Sequence, residues 1–452
     1  MESEQLLMTE GPIRKKIIMF ALPIFWGNLF QQLYNVVDSL VVGNFVGRDA
    51  LAAVSSSGHL IFLMTGLFGG IFMGAGVVIS RYYGSQEMDK VRTAIHTAVA
   101  FGLVAGVILT IIGVVFTPHI LVWMGTPKSV LPNSILFLRI YFGGVLGVVL
   151  YNTASGIFQA VGDSRHPLYY LIFSSVLNVI LELLFVAVFQ WGISGAGAAT
   201  VIAQFASAFL AFGRLMKTKD VYRVSLKEIG FDSGMLKQIL KMGIPAGMQN
   251  CVIALANIVV QSNINSFGAT AVAGCGTYSK IEGFGFIPIT SFSMAMTTFI
   301  GQNLGAKKYD RARKGAKFGI AGSLILAELV GAIIYVFAPI FISAFNNEPA
   351  VIAFGTQQAR IVSLFYFLLA FSHCMAGILR GAGKSIVPMF VMLGCWCIIR
   401  VSYITLITHF VSQINVVFWA YPLTWTLSSI VFFFYYKKAD WVHGFEGKQL
   451  TA

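Results

Sequence analysis

Apolar segments of about 20 residues recur along the whole chain, and this recurrence limits the possible folds more than any other feature. The 452 residues are 57% hydrophobic and only 11% charged, whereas a soluble protein averages about 25% charged residues. Each segment is long enough to cross the hydrocarbon core of a bilayer as a helix, which satisfies its own backbone hydrogen bonds. The sequence therefore predicts an all-α membrane protein.

Twelve transmembrane helices are predicted, and a long polar connection near the middle divides them into two six-helix lobes. We place the amino-terminal lobe at residues 1–217, a cytoplasmic linker at 218–235 and the carboxy-terminal lobe at 236–452. The predicted helices lie near residues 16–43, 51–81, 93–117, 132–161, 167–190, 194–216, 236–266, 271–302, 313–344, 352–381, 386–410 and 415–437.

The net charge of +13 follows from membrane topology. With both termini on one side, that side holds most of the 31 Lys and Arg residues, including those at 380–384, and the opposite loops keep only Arg48 and Lys128. Cytoplasmic loops carry such an excess. We therefore predict a multi-pass protein of the cell membrane with both termini in the cytoplasm. The lipid bilayer is its expected partner, and no nucleic acid is expected.

The two halves are an internal repeat. At an offset of 221 residues, glycine, proline and charged positions of the first half meet identical residues in the second. Six helices per half is an even number, so the predicted symmetry is a pseudo-two-fold axis along the membrane normal. The matched pairs include Gly47 with Gly268, Gly84 with Gly305, Arg92 with Arg313, Gly162 with Gly383 and Pro167 with Pro388.

The first predicted helix carries a polar face that ends in an acid. Asn28, Gln31, Asn35 and Asp38 recur at spacings of three or four residues, which places them on one side of a helix. A carboxylate facing lipid would cost about 2.5–3.5 kcal/mol, so this face must line protein or water. Pro23, near the start of the same helix, either begins it or allows a bend.

Further polar residues lie at the depth of Asp38. Asn178 and Glu182 share a face of the fifth helix, and they, Asp38 and Thr200 all fall roughly 10 Å below the outer surface. Two acids, an amide and a hydroxyl at one depth can bind Na⁺ through oxygen atoms or share a proton. The alternative is a structural hydrogen-bonded pair between helices. The repeat lacks these residues in the second half, so the constellation belongs to the first half alone.

Other charges fall inside predicted spans of the second half. Placing the charged side chains of Lys280, Glu282 and Arg400 inside the membrane costs free energy unless they are paired or hydrated. They either line a cavity and select substrates or form structural ion pairs, and Arg400 with Glu282 is one candidate pair. In the first half, Tyr34 could stack on flat cationic compounds through cation–π contact.

Several motifs, in their order and spacing, make the chain resemble the MATE (multidrug and toxic compound extrusion) family of secondary antiporters. They are Tyr-Asn-Val-Val-Asp at 34–38, Val-Gly-Asn-Phe-Val-Gly at 42–47, Ile-Ser-Arg-Tyr-Tyr-Gly at 79–84 and Gly-Gln-Asn-Leu-Gly-Ala at 301–306. The resemblance implies two lobes around a central cavity, alternating access, and export of cationic, amphipathic small molecules in exchange for H⁺ or Na⁺. No cofactor beyond the coupling ion and no second subunit are expected.

The family's cation site would fall on Asp38, Asn178, Glu182 and Thr200. The family usually has Asp followed by Pro where this chain has Glu182 and Leu183, so the resemblance leaves the choice between H⁺ and Na⁺ open. A flippase for lipid-linked precursors, from the same superfamily, is the alternative function, and it would need a strongly cationic cavity. An enzyme is not expected, because no H-E-x-x-H, G-x-S-x-G or phosphate-binding loop occurs.

Overall fold

A computed structural model describes residues 7–123, 126–411 and 413–445, so the ends of the two predicted lobes, 1–6 and 446–452, lie outside it. Ten helices in the described part are long and apolar enough to cross a membrane, and two bent helix pairs can each serve as one further span. The predicted all-α membrane fold is confirmed, with twelve spans when each bent pair counts once. The helices are α1 (Ile13–Phe45), α2 (Arg48–Gly84), α3 (Met88–Trp123), α4 (Leu131–Gly143), α5 (Val145–Val161), α6 (Arg165–Glu182), α7 (Ile193–Lys217), α8 (Ser233–Asn265), α9 (Ala269–Gly305), α10 (Tyr309–Ser343), α11 (Pro349–Ser363), α12 (Tyr366–Gly381), α13 (Ile386–Met392), α14 (Arg400–Phe410) and α15 (Asn415–Lys438).

The chain forms two compact units whose limits differ from the predicted lobes at two helix starts. The first unit contains Leu22–Gly247, and the second contains Met8–Ala21 together with Met248–Ala452. The beginning of α1 therefore belongs to the second unit, and the beginning of α8 belongs to the first. Pro23 and Pro245 lie inside these two helices, close to the change of unit and well beyond the first turn. A proline at such a depth removes a helical hydrogen bond, so a bend at Pro23 stays a prediction.

The repeat is visible in matched helices of the two units. Both α2 and α9 have 37 residues. Each follows a glycine with positive φ, Gly47 at 111° and Gly268 at 93°. Only glycine adopts this backbone conformation without strain, which explains why the repeat keeps glycine at both positions.

In the first unit, two pairs of glycines let α2 and the start of α8 touch backbone to backbone. A Cβ on Gly70 would come 2.0 Å from the backbone nitrogen of Gly247, and one on Gly74 would come 2.4 Å from that of Gly243. Since real Cβ atoms do not approach so closely, any larger residue would push the two helices apart.

Two predicted helices are not continuous. The segment predicted at 132–161 is bent by 48° between α4 and α5, and the segment at 352–381 is bent by 55° between α11 and α12. At the first bend, α7 comes so close that a Cβ on Gly144 would lie 2.3 Å from Val201. Hydrophobic periodicity does not show either break, although the first falls at Gly143 and Gly144, the kind of small-residue pair at which helices kink.

One predicted cytoplasmic charge is buried instead. Arg380 lies near the end of α12 with 8% of its surface exposed. Its guanidinium donates to the hydroxyl of Ser293 on α9 at 3.2 Å. The predicted helix at 352–381 already includes Arg380 and ends where α12 ends, so the structure adds only that this charged side chain is buried by packing against α9.

Candidate functional site

Three helices of the first unit bring together the residues that the sequence singled out. Asp38 comes from α1, Asn178 and Glu182 come from one face of α6, and Thr200 comes from α7. Glu182 is fully buried and Asn178 is 2% exposed, whereas Asp38 is partly exposed. A carboxyl group without exposure to water needs a proton, a cation or hydrogen-bond donors to remain there.

The hydroxyl of Thr200 is the centre of a hydrogen-bond chain. It donates to the carbonyl of Ala196 at 3.0 Å and accepts from the amide nitrogen of Asn178 at 3.3 Å. The phenol oxygen of Tyr34 lies 3.5 Å from the same hydroxyl, which has used its own proton, so Tyr34 is the donor. The amide nitrogen of Asn178 is thus bound to Thr200, while its amide oxygen accepts no hydrogen bond from the described residues.

The carboxyl groups of Asp38 and Glu182 lie close enough to interact electrostatically. No hydroxyl, amide or basic side chain among the described residues donates to either oxygen of Glu182. If both groups were ionised, two negative charges would repel each other in a poorly hydrated place. A bound proton or cation would remove that repulsion.

The same oxygen atoms form a ligand set for a hard cation. The two oxygens of Glu182 and the amide oxygen of Asn178 have no protein donor in the described structure, and Asp38 adds a second carboxylate. Oxygen atoms of this kind are what hard cations bind. Among the described residues there is no cluster of three or more His, Cys, Asp or Glu side chains for a metal ion. The donors thus fit Na⁺ or a proton better than a transition metal.

Glu182 is the last α-helical residue before a π-helical segment, Leu183–Val188. One extra residue per turn changes the direction of the helix just after the buried acid, and such segments are frequent at functional sites. Phe185 stacks on Trp191 at 4.8 Å beyond it. The sequence carried no usable signal for this change, because hydrogen-bond register leaves no mark in hydrophobic periodicity.

The other residues of the polar face of α1 lie where spacing predicted, along one side of the helix. Gln31 and Asn35 are exposed and Asn28 is partly exposed. Their side chains do not belong to the described hydrogen bonds around Thr200. Whether they contact substrate stays a prediction.

The charged residues of the second unit are arranged differently. Arg400, only 3% exposed, donates twice to the hydroxyl of Thr424, at 3.2 and 2.9 Å. Its guanidinium also lies 4.5 Å from the centre of the Tyr421 ring. Arg400 thus has a neutral hydroxyl and an aromatic ring as partners, and it forms no ion pair with an acid among the described residues.

Glu282 accepts a hydrogen bond from Tyr278 at 3.4 Å, and Tyr278 contacts Tyr366 at 3.0 Å. Glu282 and Arg400 interact electrostatically, but they are not among the ion pairs of the described residues. Lys280 is exposed and lies 5.5 Å above the ring of Phe345. Sequence reasoning missed Tyr278, Tyr366 and Thr424, since neutral side chains do not stand out in an apolar helix.

Comparison with known proteins identifies a family whose model matches the chain twice. The MatE family model matches residues 23–184 and again 245–406. The probable multidrug resistance protein YoeA of Bacillus subtilis is 28% identical over 431 residues, which is 94% of this chain and 93% of that protein. The multidrug export protein MepA of Staphylococcus aureus is 23% identical over 386 residues, 85% of each chain.

A solved structure has the same fold. It is the outward-facing conformation of a multidrug resistance MATE family transporter of the MOP superfamily, and it superposes with a TM-score of 0.90 over 97% of both chains. Its sequence is only 22% identical, so this likeness concerns the fold alone.

Proposed function

The chain belongs to the MATE family of membrane transporters, and from this membership we propose that it exports amphipathic organic cations in exchange for H⁺ or Na⁺. It is a transporter and not an enzyme. The observation that carries the exchange proposal is the buried carboxyl group of Glu182, which interacts electrostatically with Asp38 and whose oxygens no donor of the described residues reaches. The names of YoeA and MepA support multidrug export as the direction and class of transport.

In the proposed cycle, the acid pair alternates between a state that holds the coupling cation and a state that has released it. A proton or Na⁺ removes the repulsion between Asp38 and Glu182, and its release restores that repulsion. Each state favours a different conformation of the helices that carry the two acids, so ion binding shifts the alternating-access equilibrium. Thr200 and Asn178 keep the amide oxygen directed away from donors and free for a cation.

H⁺ and Na⁺ both fit the donor set. Glu182 reaches one methylene further than the aspartate that is usual in the family, and a proton shared with Asp38 would remove the repulsion between the two acids. Na⁺ would instead bind the carboxylates with the oxygen of Asn178.

The alternative function, flipping of a lipid-linked precursor, needs cationic side chains that are free to bind a pyrophosphate. Arg400 is buried and bonded to Thr424. Lys280 is a single exposed cation that lies over the ring of Phe345. This arrangement supports the drug exporter over the flippase. We further propose that the protein lies in the cell membrane as a monomer with both termini in the cytoplasm.

Transport in liposomes tests this function. Purified protein would be reconstituted with a fluorescent, amphipathic cationic dye, and pH and sodium gradients would be imposed one at a time. We expect one of the two gradients to drive dye movement against its concentration. Dye movement that responds to neither gradient would contradict exchange.

A further inference from the structure

A histidine near the cytoplasmic start of α3 holds the linker that connects the two repeats. His96 is 3% exposed. It borders a cavity of about 300 Å³ whose wall also includes Arg92, Glu228 and Asp232. The linker belongs to the same compact unit as α3. The cavity gives protons from the aqueous side a route to the imidazole edge.

The contacts of His96 identify its protonation state. Its Nδ1 lies 2.7 Å from the carbonyl oxygen of Arg92. A carbonyl only accepts, so Nδ1 carries a proton. Its Nε2 accepts the backbone N–H of Ser225 at 3.0 Å, so Nε2 carries none. Both ring nitrogens are satisfied only when the imidazole is neutral.

An acid is already in place for the charged form. One carboxylate oxygen of Glu228 lies 3.7 Å from Nε2 of His96. At present Glu228 forms a two-point ion pair with Arg92, one of whose contacts measures 2.5 Å. The third charged group on this cavity, Asp232, accepts the backbone N–H of Met235 at 2.7 Å and caps the start of α8.

We propose that protonation of His96 is a pH switch on the linker. A proton added to Nε2 removes the acceptor of the Ser225 N–H and places a donor opposite it. The new N–H turns to Glu228, which gives up part of its contact with Arg92. Acidification of the cytoplasmic side therefore exchanges one anchor of the linker, Ser225, for an ion pair between His96 and Glu228.

The switch is local, because a second anchor of the linker does not titrate. The backbone N–H of Asp232 donates to the hydroxyl of Thr97 at 3.3 Å. Thr97 has no charge to gain, so Asp232 stays attached to α3, and Glu228 stays bound there through its carboxylate, while only the backbone N–H of Ser225 is released. Histidine is the side chain suited to this task, since it changes charge between about pH 5 and 8.

Hydrogen exchange measured by mass spectrometry on the full-length protein in nanodiscs tests the switch. Between about pH 8 and 6, and after correction for the chemical exchange rate, we expect protection of a peptide containing Ser225 to fall about tenfold. His96→Gln keeps an acceptor for the N–H but cannot gain a proton, so its protection should stay constant. His119→Gln, at an exposed histidine of the same helix, should behave like the wild type.

A second variant keeps the test decisive if His96→Gln does not fold. In Glu228→Gln the charged imidazole loses its anion, so the fall in protection should move to lower pH. A constant protection in the wild type, an equal fall in His96→Gln, or an unmoved fall in Glu228→Gln would each overturn the proposal. None of these readouts depends on transport, so the proposed exchange could fail while the switch stands.

Discussion

The two units repeat the same helices but place opposite kinds of chemistry inside them. In the first, Glu182 is buried and interacts electrostatically with Asp38, and no donor of the described residues reaches its oxygens. In the second, Arg400 donates to Thr424 and lies against an aromatic ring, while Glu282 accepts from Tyr278. Among the described residues, the acids of the first unit therefore lack the protein donors that the charged groups of the second unit have. Duplication has kept the scaffold but not the chemistry placed on it.

The largest effect is expected at Asp38. Asp38→Asn keeps the shape of the side chain but cannot alternate between charged and neutral forms, so gradient-driven dye transport should fall to the level of empty liposomes. Protein in the membrane should be unchanged. Glu282→Gln is the matched change in the second unit, and it should retain gradient-driven transport. Equal loss in both variants would break the distinction between the units.

Removing Arg400 should lower stability more than coupling. Arg400→Ala deletes two hydrogen bonds from a buried charged group and leaves a cavity, which should destabilise the protein by about 3 kcal/mol. The measurement is the thermal unfolding midpoint in detergent. Arg360→Ala removes an exposed arginine, and it should cost no more than about 0.5 kcal/mol. If both variants unfold at the same temperature, Arg400 does not support the second unit.

A smaller effect separates the two threonines. Thr200→Val removes the hydroxyl that accepts hydrogen bonds from Asn178 and Tyr34. We expect this loss to weaken the local structure by about 1 kcal/mol and to slow coupled transport about fivefold. Thr424→Val instead frees Arg400 and should act on the unfolding midpoint, with coupling retained. Transport rates and unfolding midpoints of both variants would be measured together. If Thr424→Val slows transport and Thr200→Val does not, the proposed difference between the two threonines is wrong.

Much of this arrangement could be predicted from the sequence, because its causes are local or periodic. A spacing of three or four residues placed Asp38 on a polar helix face, and a spacing of four placed Asn178 beside Glu182. The repeat offset separated the first half from the second. The length of apolar segments indicated the helices.

The remaining features depend on contacts between distant residues. The bend between α4 and α5 falls where Val201 of α7 approaches Gly144 closely. The π-helical segment after Glu182 is a change of hydrogen-bond register. The pairing of Arg400 with Glu282 was suggested from their charges alone. In the structure, the guanidinium of Arg400 donates to the neutral hydroxyl of Thr424. The burial of Arg380 likewise follows from packing against α9.

Infrared spectroscopy of protonated carboxyl groups tests the central claim most directly. If Asp38 and Glu182 share a proton, the wild type should give a carboxylic acid signal that both Asp38→Asn and Glu182→Gln alter and that Glu282→Gln leaves unchanged. A signal that neither first-unit substitution affects would contradict the claim that this pair shares a proton.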